Sequence, residues 1–227
     1  MSDAPGLQVR TPSGTYPVEI QVGIAARLAG VIDALGAPRR RFVVSNPTVW
    51  RLHGDTFSGL SAEDPILIPD GERHKQLATV GRIYDALIRS AADRATTIVA
   101  IGGGVVGDIA GFAAATYLRG VPVVQVPTTL LAQVDSAIGG KVGVNHAAGK
   151  NLIGAYHQPA AVVVDPALLA TLPRREFRAG LYEVVKYGVI ASRPLFDQVS
   201  AHLSPLFARD ASVLVPVITE CCRIKGD

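Results

Sequence analysis

An apolar run that leads directly into a cluster of glycines constrains the fold of this chain more than any other stretch. Residues 98–101 are Ile-Val-Ala-Ile, residues 102–104 are all glycine, and Gly107 and Asp108 lie one turn further on. A continuous apolar run bounded by glycine is typical of a strand buried on both faces, as in a parallel sheet. Glycines at 102, 104 and 107 have the G-x-G-x-x-G spacing of a strand-to-helix turn, where backbone N–H groups approach a diphosphate. The stretch therefore predicts a buried strand, a phosphate-binding turn and a helix.

This turn departs from the usual dinucleotide fingerprint, in which an acidic residue about 20 positions later holds a ribose. The next strand pattern, residues 121–126, runs through Gln125 and Val126 to Pro127 and contains no acid. If a dinucleotide binds, residues from elsewhere must hold its ribose. Glycine before a helix can also simply permit tight packing, so the motif by itself leaves both interpretations open.

The composition excludes several classes of protein. A hydrophobic content of 48% with 18% charged residues indicates a packed globular chain and not a disordered one. The net charge of +3 includes one short basic run, residues 39–41, which we interpret as a solvated strand entry. The 6% of aromatic residues are not interleaved with basic ones, so we expect no nucleic-acid partner.

Localisation is inferred from the cysteines and from the apolar segments. Cys221 and Cys222 are adjacent in a helical pattern, which argues against a structural disulfide and favours a reduced, cytoplasmic setting. Residues 1–5 lack the pattern of a signal peptide. Residues 98–118 could pass for a membrane span, but five glycines and Asp108 favour a buried strand, turn and helix, so we expect no membrane partner.

Hydrophobic periodicity predicts an α/β fold. Strand patterns alternate with helical ones, which indicates βα units and a Rossmann-like, mostly parallel sheet with helices on both faces. After residue 165 the pattern is helical throughout. We therefore predict an NAD-binding domain over residues 1–168 and the start of an all-α domain over 169–227. The predicted strands are 7–11, 16–22, 42–44, 65–68, 98–101, 121–126 and 161–165, and the predicted helices are 24–35, part of 48–60, 76–88, 166–171, 174–190, 194–201 and 211–225.

Two further predictions concern the loops. The carboxyl ends of parallel strands meet at one edge, where ligands collect, so Asn46 and residues 70–75, 102–108 and 127–129 should lie together. Residues 139–154 are rich in glycine and show no clear apolar period, which predicts a long functional loop.

The helix 174–190 contains a candidate chemical pair. Glu183 and Lys186 share a face with Tyr187, and this pairing is either a surface ion pair or part of a site. Four apolar neighbours predict a mostly buried helix, where a carboxylate is a candidate metal ligand or catalytic group; they are Val184, Val185, Val189 and Ile190. His146 and His157 have no partner at metal-ligand spacing, so we interpret both as loop hydrogen-bonding residues.

Lysine is scarce in this chain, with five lysines against 17 arginines. Where arginine carries most of the surface charge, a lysine can mark a position that needs a compact ammonium group. Chance is the other interpretation of so small a sample.

Six segments in combination closely resemble the 3-dehydroquinate synthase family, over essentially the whole chain from about Tyr16. They are residues 70–75, 102–108 with 113–120, 126–136, 139–145, 149–151 and 179–188. The resemblance implies a cytoplasmic enzyme of the shikimate pathway that uses NAD and a divalent metal, zinc or cobalt. It would convert a small-molecule sugar phosphate, 3-deoxy-D-arabino-heptulosonate 7-phosphate, to 3-dehydroquinate and phosphate, and would be a homodimer when full length.

The resemblance also implies a role for individual residues. Catalytic or substrate contacts would be Asp135, Lys141, Asn151, Lys186 and Lys225, with Arg119 reaching the phosphate, and Glu183 would be a metal ligand. Cofactor contacts would be Asn46, Asp70, Gly71, Glu72, Arg73, His74, Lys75, Gly103, Gly104, Val105, Val106, Gly107, Asp108, Thr128, Thr129, Leu131, Asp135, Ser136, Lys141, Lys150, Leu168, Leu169, Ala170 and Thr171.

One departure from the family pattern bears on activity. The family's two other metal ligands are histidines in a later segment resembling Asn-Phe-Gly-His-Thr, whereas this sequence stops at Asp227. We therefore expect the chain by itself to retain NAD affinity, to hold metal weakly and to show no turnover.

Three alternatives to dehydroquinate synthase remain at this stage. The first is another sugar phosphate cyclase, such as a valiolone or inosose synthase, although residues 139–146 favour dehydroquinate synthase. The second is a metal-dependent dehydrogenase of the glycerol dehydrogenase type, which would show net hydride transfer. The third is a non-catalytic NAD-binding fragment.

Overall fold

A computed structural model describes residues 6–12 and 14–226 of the chain. Residues 1–5, which we interpret as lacking a signal peptide, lie outside the described residues. None of the helices in the described ranges is long and apolar enough to cross a membrane.

Strands and helices alternate through most of the chain, as the periodicity predicts. The strands are β1 (Leu7–Thr11), β2 (Gly14–Ile20), β3 (Arg40–Ser45), β4 (Ile66–Leu67), β5 (Thr96–Gly102), β6 (Val123–Pro127), β7 (Lys141–His146), β8 (Gly149–Tyr156) and β9 (Ala161–Val164). The helices are α1 (Leu28–Ala34), α2 (Pro47–His53), α3 (Leu77–Arg89), α4 (Gly104–Thr116), α5 (Arg174–Ile190), α6 (Arg193–Ala201), α7 (Leu203–Phe207) and α8 (Ala211–Gly226), and short 3-10 or π turns join several of them.

Seven of the strands form one mostly parallel sheet in the order β1-β2-β9-β6-β5-β3-β4. Among the described residues of this sheet, the β1–β2 pair is antiparallel and the other neighbouring strands run parallel. The carboxyl ends of β3, β4, β5 and β6 therefore lie at one edge. The prediction of a Rossmann-like parallel sheet is confirmed.

Helices cover both faces of the sheet, and β5 shows why. Ile98 and Ala100 of β5 belong to the core that contains α3 and α4. Val99 and Ile101 point the other way, into the core that contains α1 and the turn before it. Because successive side chains of a strand alternate between faces, an unbroken apolar run fits a strand that is covered on both sides.

A third core joins the helical segment to the first hairpin. Val9 of β1 and Val18 of β2 are buried together with Phe177 of α5 and Val217 of α8. A Cβ placed on Gly226 of α8 would lie 3.0 Å from Val9 Cγ2. The predicted division between residues 168 and 169 stays a prediction.

The prediction of a long loop over residues 139–154 is wrong. Residues 141–156 form an antiparallel hairpin, β7–β8, which is separate from the large sheet. Val142 and Val144 alternate along β7 and are both buried. The period-2 signal was hidden because Gly143 and Gly154, which face each other, have no side chain. A Cβ on Gly143 would lie 2.5 Å from Ile153 O, and one on Gly154 would lie 2.4 Å from Val142 O. Glycine therefore permits this strand pairing.

Two predictions about exposure also need correction. Arg41 is not solvated but buried, and its guanidinium pairs with Asp33 of α1. Val189 and Ile190 are not buried but each 68% exposed, because they lie on the solvent side of the last turn of α5, whereas Tyr187 in the same turn and Val184 are buried.

Candidate functional site

The carboxyl edge of the sheet brings the predicted loops together. Asn46 directly follows β3 and caps α2, where its Oδ1 accepts from Val49 N–H at 2.8 Å. Asp70 follows β4, and its Oδ2 accepts from Thr48 Oγ1 at 3.1 Å. The Asn46 and Asp70 loops are therefore joined by a hydrogen bond at this edge, next to the ends of β5 and β6.

The glycine turn between β5 and α4 packs closely against the segment that follows β6. Gly103 is the N-cap of α4 and has no side chain to satisfy the first N–H groups of the helix. A Cβ on Gly104 would lie 2.9 Å from Ser136 Oγ, and one on Gly103 would lie 3.0 Å from Thr129 Cγ2. A side chain at either glycine would force Ser136 or Thr129 to shift, and the helix N-terminus presents backbone donors that favour an anion.

Two hydroxyl groups beside this turn lack hydrogen-bond partners. Thr128 Oγ1 and Ser136 Oγ are both buried, and neither has a hydrogen-bond partner among the described residues. Buried polar atoms are nearly always paired, so such atoms are informative. Both are on the predicted cofactor side, and a polar ligand seated on the turn would satisfy them.

Lys75 occupies a polar socket between α4 and the hairpin. Its Nζ lies 2.5 Å from Asp108 Oδ2 and donates to Asn151 Oδ1 at 2.6 Å. The side chains of Lys75 and Asp108 are only 7% and 20% exposed. Burial raises the pKa of Asp108, Lys75 counteracts this rise, and the negative charges of Glu72 and Asp135 add to it. The pair thus links the glycine-turn helix to Asn151.

A cleft of about 400 Å³ opens beside this socket. It is lined by Asp108 together with residues of both hairpin strands, which are Lys141, Val142, Gly143, Asn151, Leu152, Gly154, Ala155 and Tyr156. Its volume suits a small molecule. Two of the predicted substrate contacts, Lys141 and Asn151, lie in this wall.

A second charged cluster surrounds Asp135. Its Oδ1 accepts from Tyr187 Oη at 2.8 Å and lies 2.9 Å from Lys225 Nζ. Burial raises the pKa of Asp135, but the hydrogen bonds from Lys225 and Tyr187 outweigh burial and lower it below the ordinary value. Burial and the hydrogen bond to Asp135 raise the pKa of Tyr187. Asp135 is therefore held as a carboxylate.

Glu183 lies next to this cluster on α5. It forms an ion pair with Lys186, and the pKa of Lys186 is raised by this hydrogen bond. Within residues 6–12 and 14–226, no group of three or more His, Cys, Asp or Glu side chains is placed to hold a metal ion. The role of Glu183 as a metal ligand stays a prediction.

Arg119 is not brought to this edge within one chain. It follows the C-terminal end of α4, whereas the glycine turn lies at the N-terminal end, about 20 Å away for a 13-residue helix. The preceding carbonyl, Leu118 O, accepts from Arg94, which comes just before β5 starts. Arg119 therefore lies at the opposite edge of the sheet, and its contact with a phosphate stays a prediction.

Four predicted cofactor contacts, residues 168–171, lie on the turn Pro166–Thr171, which follows β9. Two others lie elsewhere: exposed Lys150 is in β8, and exposed Leu131 directly precedes the turn Ala132–Ser136. Thr171 Oγ1 is 2.7 Å from His53 Nε2, so this turn contacts α2. Asp165 is buried and was missed from the sequence: its carboxylate accepts from the N–H groups of Gly23, Ala25 and Ala167 at 2.9 to 3.0 Å. The sequence signal that could have identified Asp165 is its position at the carboxyl end of a predicted strand. Asn145 was also missed, although its side chain bonds to both Glu72 and Asn151.

The sheet order and the edge at which these residues meet define a Rossmann-like α/β protein with its site at the strand ends. The chain belongs to a particular family of that class, 3-dehydroquinate synthase N-terminal, whose model matches residues 65–179.

Similar sequences come from several bacteria. A 3-dehydroquinate synthase of Halorhodospira halophila is 51% identical over 94% of this chain, and one of Geobacter metallireducens is 52% identical over 93% of it. Each alignment covers 60% of the relative. The chain thus spans about 60% of the length of these curated relatives.

Solved structures of related enzymes have the same fold. A 2-epi-5-epi-valiolone synthase of Streptomyces hygroscopicus with NAD+ and Zn2+ bound superposes with a TM-score of 0.83 at 34% identity, covering 92% of this chain and 59% of that one. A 2-deoxy-scyllo-inosose synthase complexed with carbaglucose-6-phosphate, NAD+ and Co2+ gives 0.86 at 27% identity, covering 97% and 61%. A probable glycerol dehydrogenase of Sinorhizobium meliloti, at 20% identity, covers 92% and 64% with a TM-score of 0.65 and shows the fold alone.

Proposed function

We propose that this chain forms the NAD-binding part, with a portion of the substrate site, of a 3-dehydroquinate synthase. The observation that carries the proposal is the Lys75 socket, which joins a glycine turn suited to a diphosphate with a hairpin that lines a small-molecule cleft. The identity to dehydroquinate synthases, 51% over 94% of the chain, supports this activity over the related ones.

NAD fits the residues at the strand ends. The free N–H groups at the start of α4 would face the diphosphate, and the unpartnered Thr128 and Ser136 hydroxyls would hydrogen-bond to the cofactor. The loop 70–75 would contact the adenosine half, which supplies the ribose acceptor that the glycine motif itself lacks. When bound, NAD would supply reversible hydride transfer, taking a hydride from the carbon that bears a ring hydroxyl and returning it to the resulting ketone later in the same turnover.

The charged side chains suit a substrate that carries both phosphate and carboxylate. Lys141 and Lys225 would contact these anionic groups, and Lys186 would add a further ammonium. Asp135 remains ionised because Lys225 and Tyr187 donate to it, so it would accept a hydrogen bond from a substrate hydroxyl.

We also propose that a divalent metal, zinc or cobalt, binds to Glu183. A catalytic zinc is normally held by three protein ligands, and the described residues offer no such set. A homodimer, a cytoplasmic location, and a contact between Arg119 and phosphate are further parts of the same proposal.

The competing cyclases are favoured by one observation, their close structural match. The decisive assay uses a fusion of this chain to the remaining C-terminal length of the Geobacter relative. The fusion protein is supplied with NAD, zinc and one of two substrates. 3-Deoxy-D-arabino-heptulosonate 7-phosphate should release phosphate without net NADH, whereas sedoheptulose 7-phosphate should release little. The reverse preference would select a valiolone-type synthase, and accumulation of NADH would select a dehydrogenase.

A further inference from the structure

Asn145 stands where the ladder of the β7–β8 hairpin is interrupted. The register slips between Val144 and His146, and the extra residues of β8 bulge out opposite Asn145. Within this bulge Asn151 has a φ of +56°, a left-handed conformation that asparagine tolerates better than most residues. Bulges beside active sites commonly re-aim a side chain, and here the re-aimed side chain is Asn151, a predicted substrate contact.

Asn145 is bonded to both sides of the site. Its backbone N–H donates to Lys75 O at 2.7 Å, and its Nδ2 donates to Glu72 Oε1 at 2.8 Å. Its Oδ1 accepts from Asn151 N–H at 2.9 Å. Lys75 Nζ completes this hydrogen-bond network by donating to Asn151 Oδ1 at 2.6 Å. The amide orientation is fixed by this network, because Oδ1 must face an N–H and Nδ2 must face a carboxylate.

We infer that Asn145 is a positioning residue that couples cofactor binding to the hairpin, an inference that rests on the proposed function. Glu72 and Lys75 belong to the predicted adenosine loop, and Asn151 belongs to the cleft. A cofactor that orders the loop therefore also orders the hairpin through Asn145, and the hairpin reciprocally favours the cofactor. The bonds of Asn145 to Glu72 and Asn151 are exposed, so they contribute little to folding when the cofactor is absent.

The test separates the link to Glu72 from the link to Asn151. Asn145→Asp keeps an acceptor for Asn151 N–H but sets two carboxylates against each other at Glu72. Combining it with Glu72→Gln places an amide donor opposite the new carboxylate and restores the bond with donor and acceptor exchanged. His146→Ala is the matched control, because this neighbouring ring is exposed and accepts from Ala148 N–H in its own turn.

Two readouts are taken on the purified chain: NAD affinity by titration, and amide hydrogen exchange with and without NAD. NAD should slow exchange at 102–107 and at 149–156 in the unsubstituted chain and in the His146 control. Asn145→Asp should lower NAD affinity about tenfold and clearly reduce the slowing at 149–156 while keeping it at 102–107, because the bond to Glu72 is lost and the two links through Lys75 remain. The double variant should return to within about twofold of Glu72→Gln, which shows that folding is not the cause.

Two results would overturn the inference. Equal slowing at 149–156 in Asn145→Asp would mean that the hairpin senses the cofactor by direct contact, and failure of the double variant to recover would mean that the Glu72 bond is not the link. If the unsubstituted chain neither binds NAD nor slows exchange at 102–107, the proposed function fails, and the inference fails with it.

Discussion

Replacing Lys75 by methionine should destabilise the fold through the charge that it leaves behind on Asp108. At 2.5 Å and an effective dielectric constant of about 20, the bare attraction of the pair is about 7 kcal/mol. Desolvation of two buried ions offsets most of this attraction, so the intact pair contributes little net stability. Removal of the lysine alone leaves Asp108 desolvated and Asn151 Oδ1 without its donor, which typically costs 3–5 kcal/mol. Because Asp108 keeps 20% exposure, we expect about 3 kcal/mol, near the lower end of that range.

Denaturant unfolding at neutral pH, followed by the fluorescence of the single tryptophan, Trp50, measures this cost. Lys186→Met is the matched control, because Lys186 also pairs with a carboxylate but is 52% exposed, and it should cost less than about 1 kcal/mol. Adding Asp108→Asn to Lys75→Met removes the stranded charge, so the double variant should recover to within about 1 kcal/mol of the unsubstituted chain.

The cost of Lys75→Met should also depend on pH. The pKa of Asp108 is raised in the fold, so its contribution to stability is greatest below the ordinary value of 3.8 and is lost as pH rises through the raised pKa. Without Lys75 that pKa rises further, and the loss at neutral pH becomes larger. The difference between variant and unsubstituted chain should therefore shrink as pH falls toward 4. A difference that is constant with pH, or a double variant as unstable as the sum of the single ones, would refute this reasoning.

Three further predictions concern ligands. Gly104→Val should abolish NAD binding in a titration, because its Cβ would lie 2.9 Å from Ser136 Oγ and its side chain would block the diphosphate. The control is Gly81→Ala, whose new methyl group lies in open space on α3, and it should bind NAD normally. Equal NAD affinities of the two variants would show that the turn is not part of the site. Lys150→Ala, in the assembled enzyme, should raise KM for the phosphate-bearing substrate at least tenfold with little change in melting temperature, and the opposite pattern would show a structural residue. The chain by itself, supplied with zinc, NAD and substrate, should release no phosphate, and turnover at an ordinary enzymatic rate would contradict the assignment of Glu183 as one ligand of an incomplete set.

Most of the fold could be predicted from local sequence patterns. The run 98–108 predicted strand, turn and helix correctly because burial on both faces, close approach and helix start are all properties of adjacent residues. The hairpin 141–156 was missed because facing glycines remove the side chains that make a strand visible. Arg41 was misjudged because its burial depends on Asp33, which sits on a separate helix.

The candidate site could also be predicted only in part from the sequence. Its segments were identified as motifs, and the parallel sheet predicted that several of them would meet at one edge. The contacts that organise it are not local: Lys75 and Asn151 are 76 residues apart in sequence, and no periodicity relates them. Asn145 carries no pattern of its own and becomes visible only when the interrupted ladder shows where its bonds go.

The contact between β1 and α8 has a consequence for how the chain acquires its structure. Val9 and α8 come from opposite ends of the described chain, yet they close one core with β2, β9 and α5. Contacts of such long sequence separation form slowly, because the loop-closure entropy is lost before the contacts contribute. On the ribosome, the apolar side of the β1–β2 hairpin would emerge early and remain uncovered until residues 211–226 have left the exit tunnel. We therefore expect this apolar surface to be prone to non-native association during synthesis.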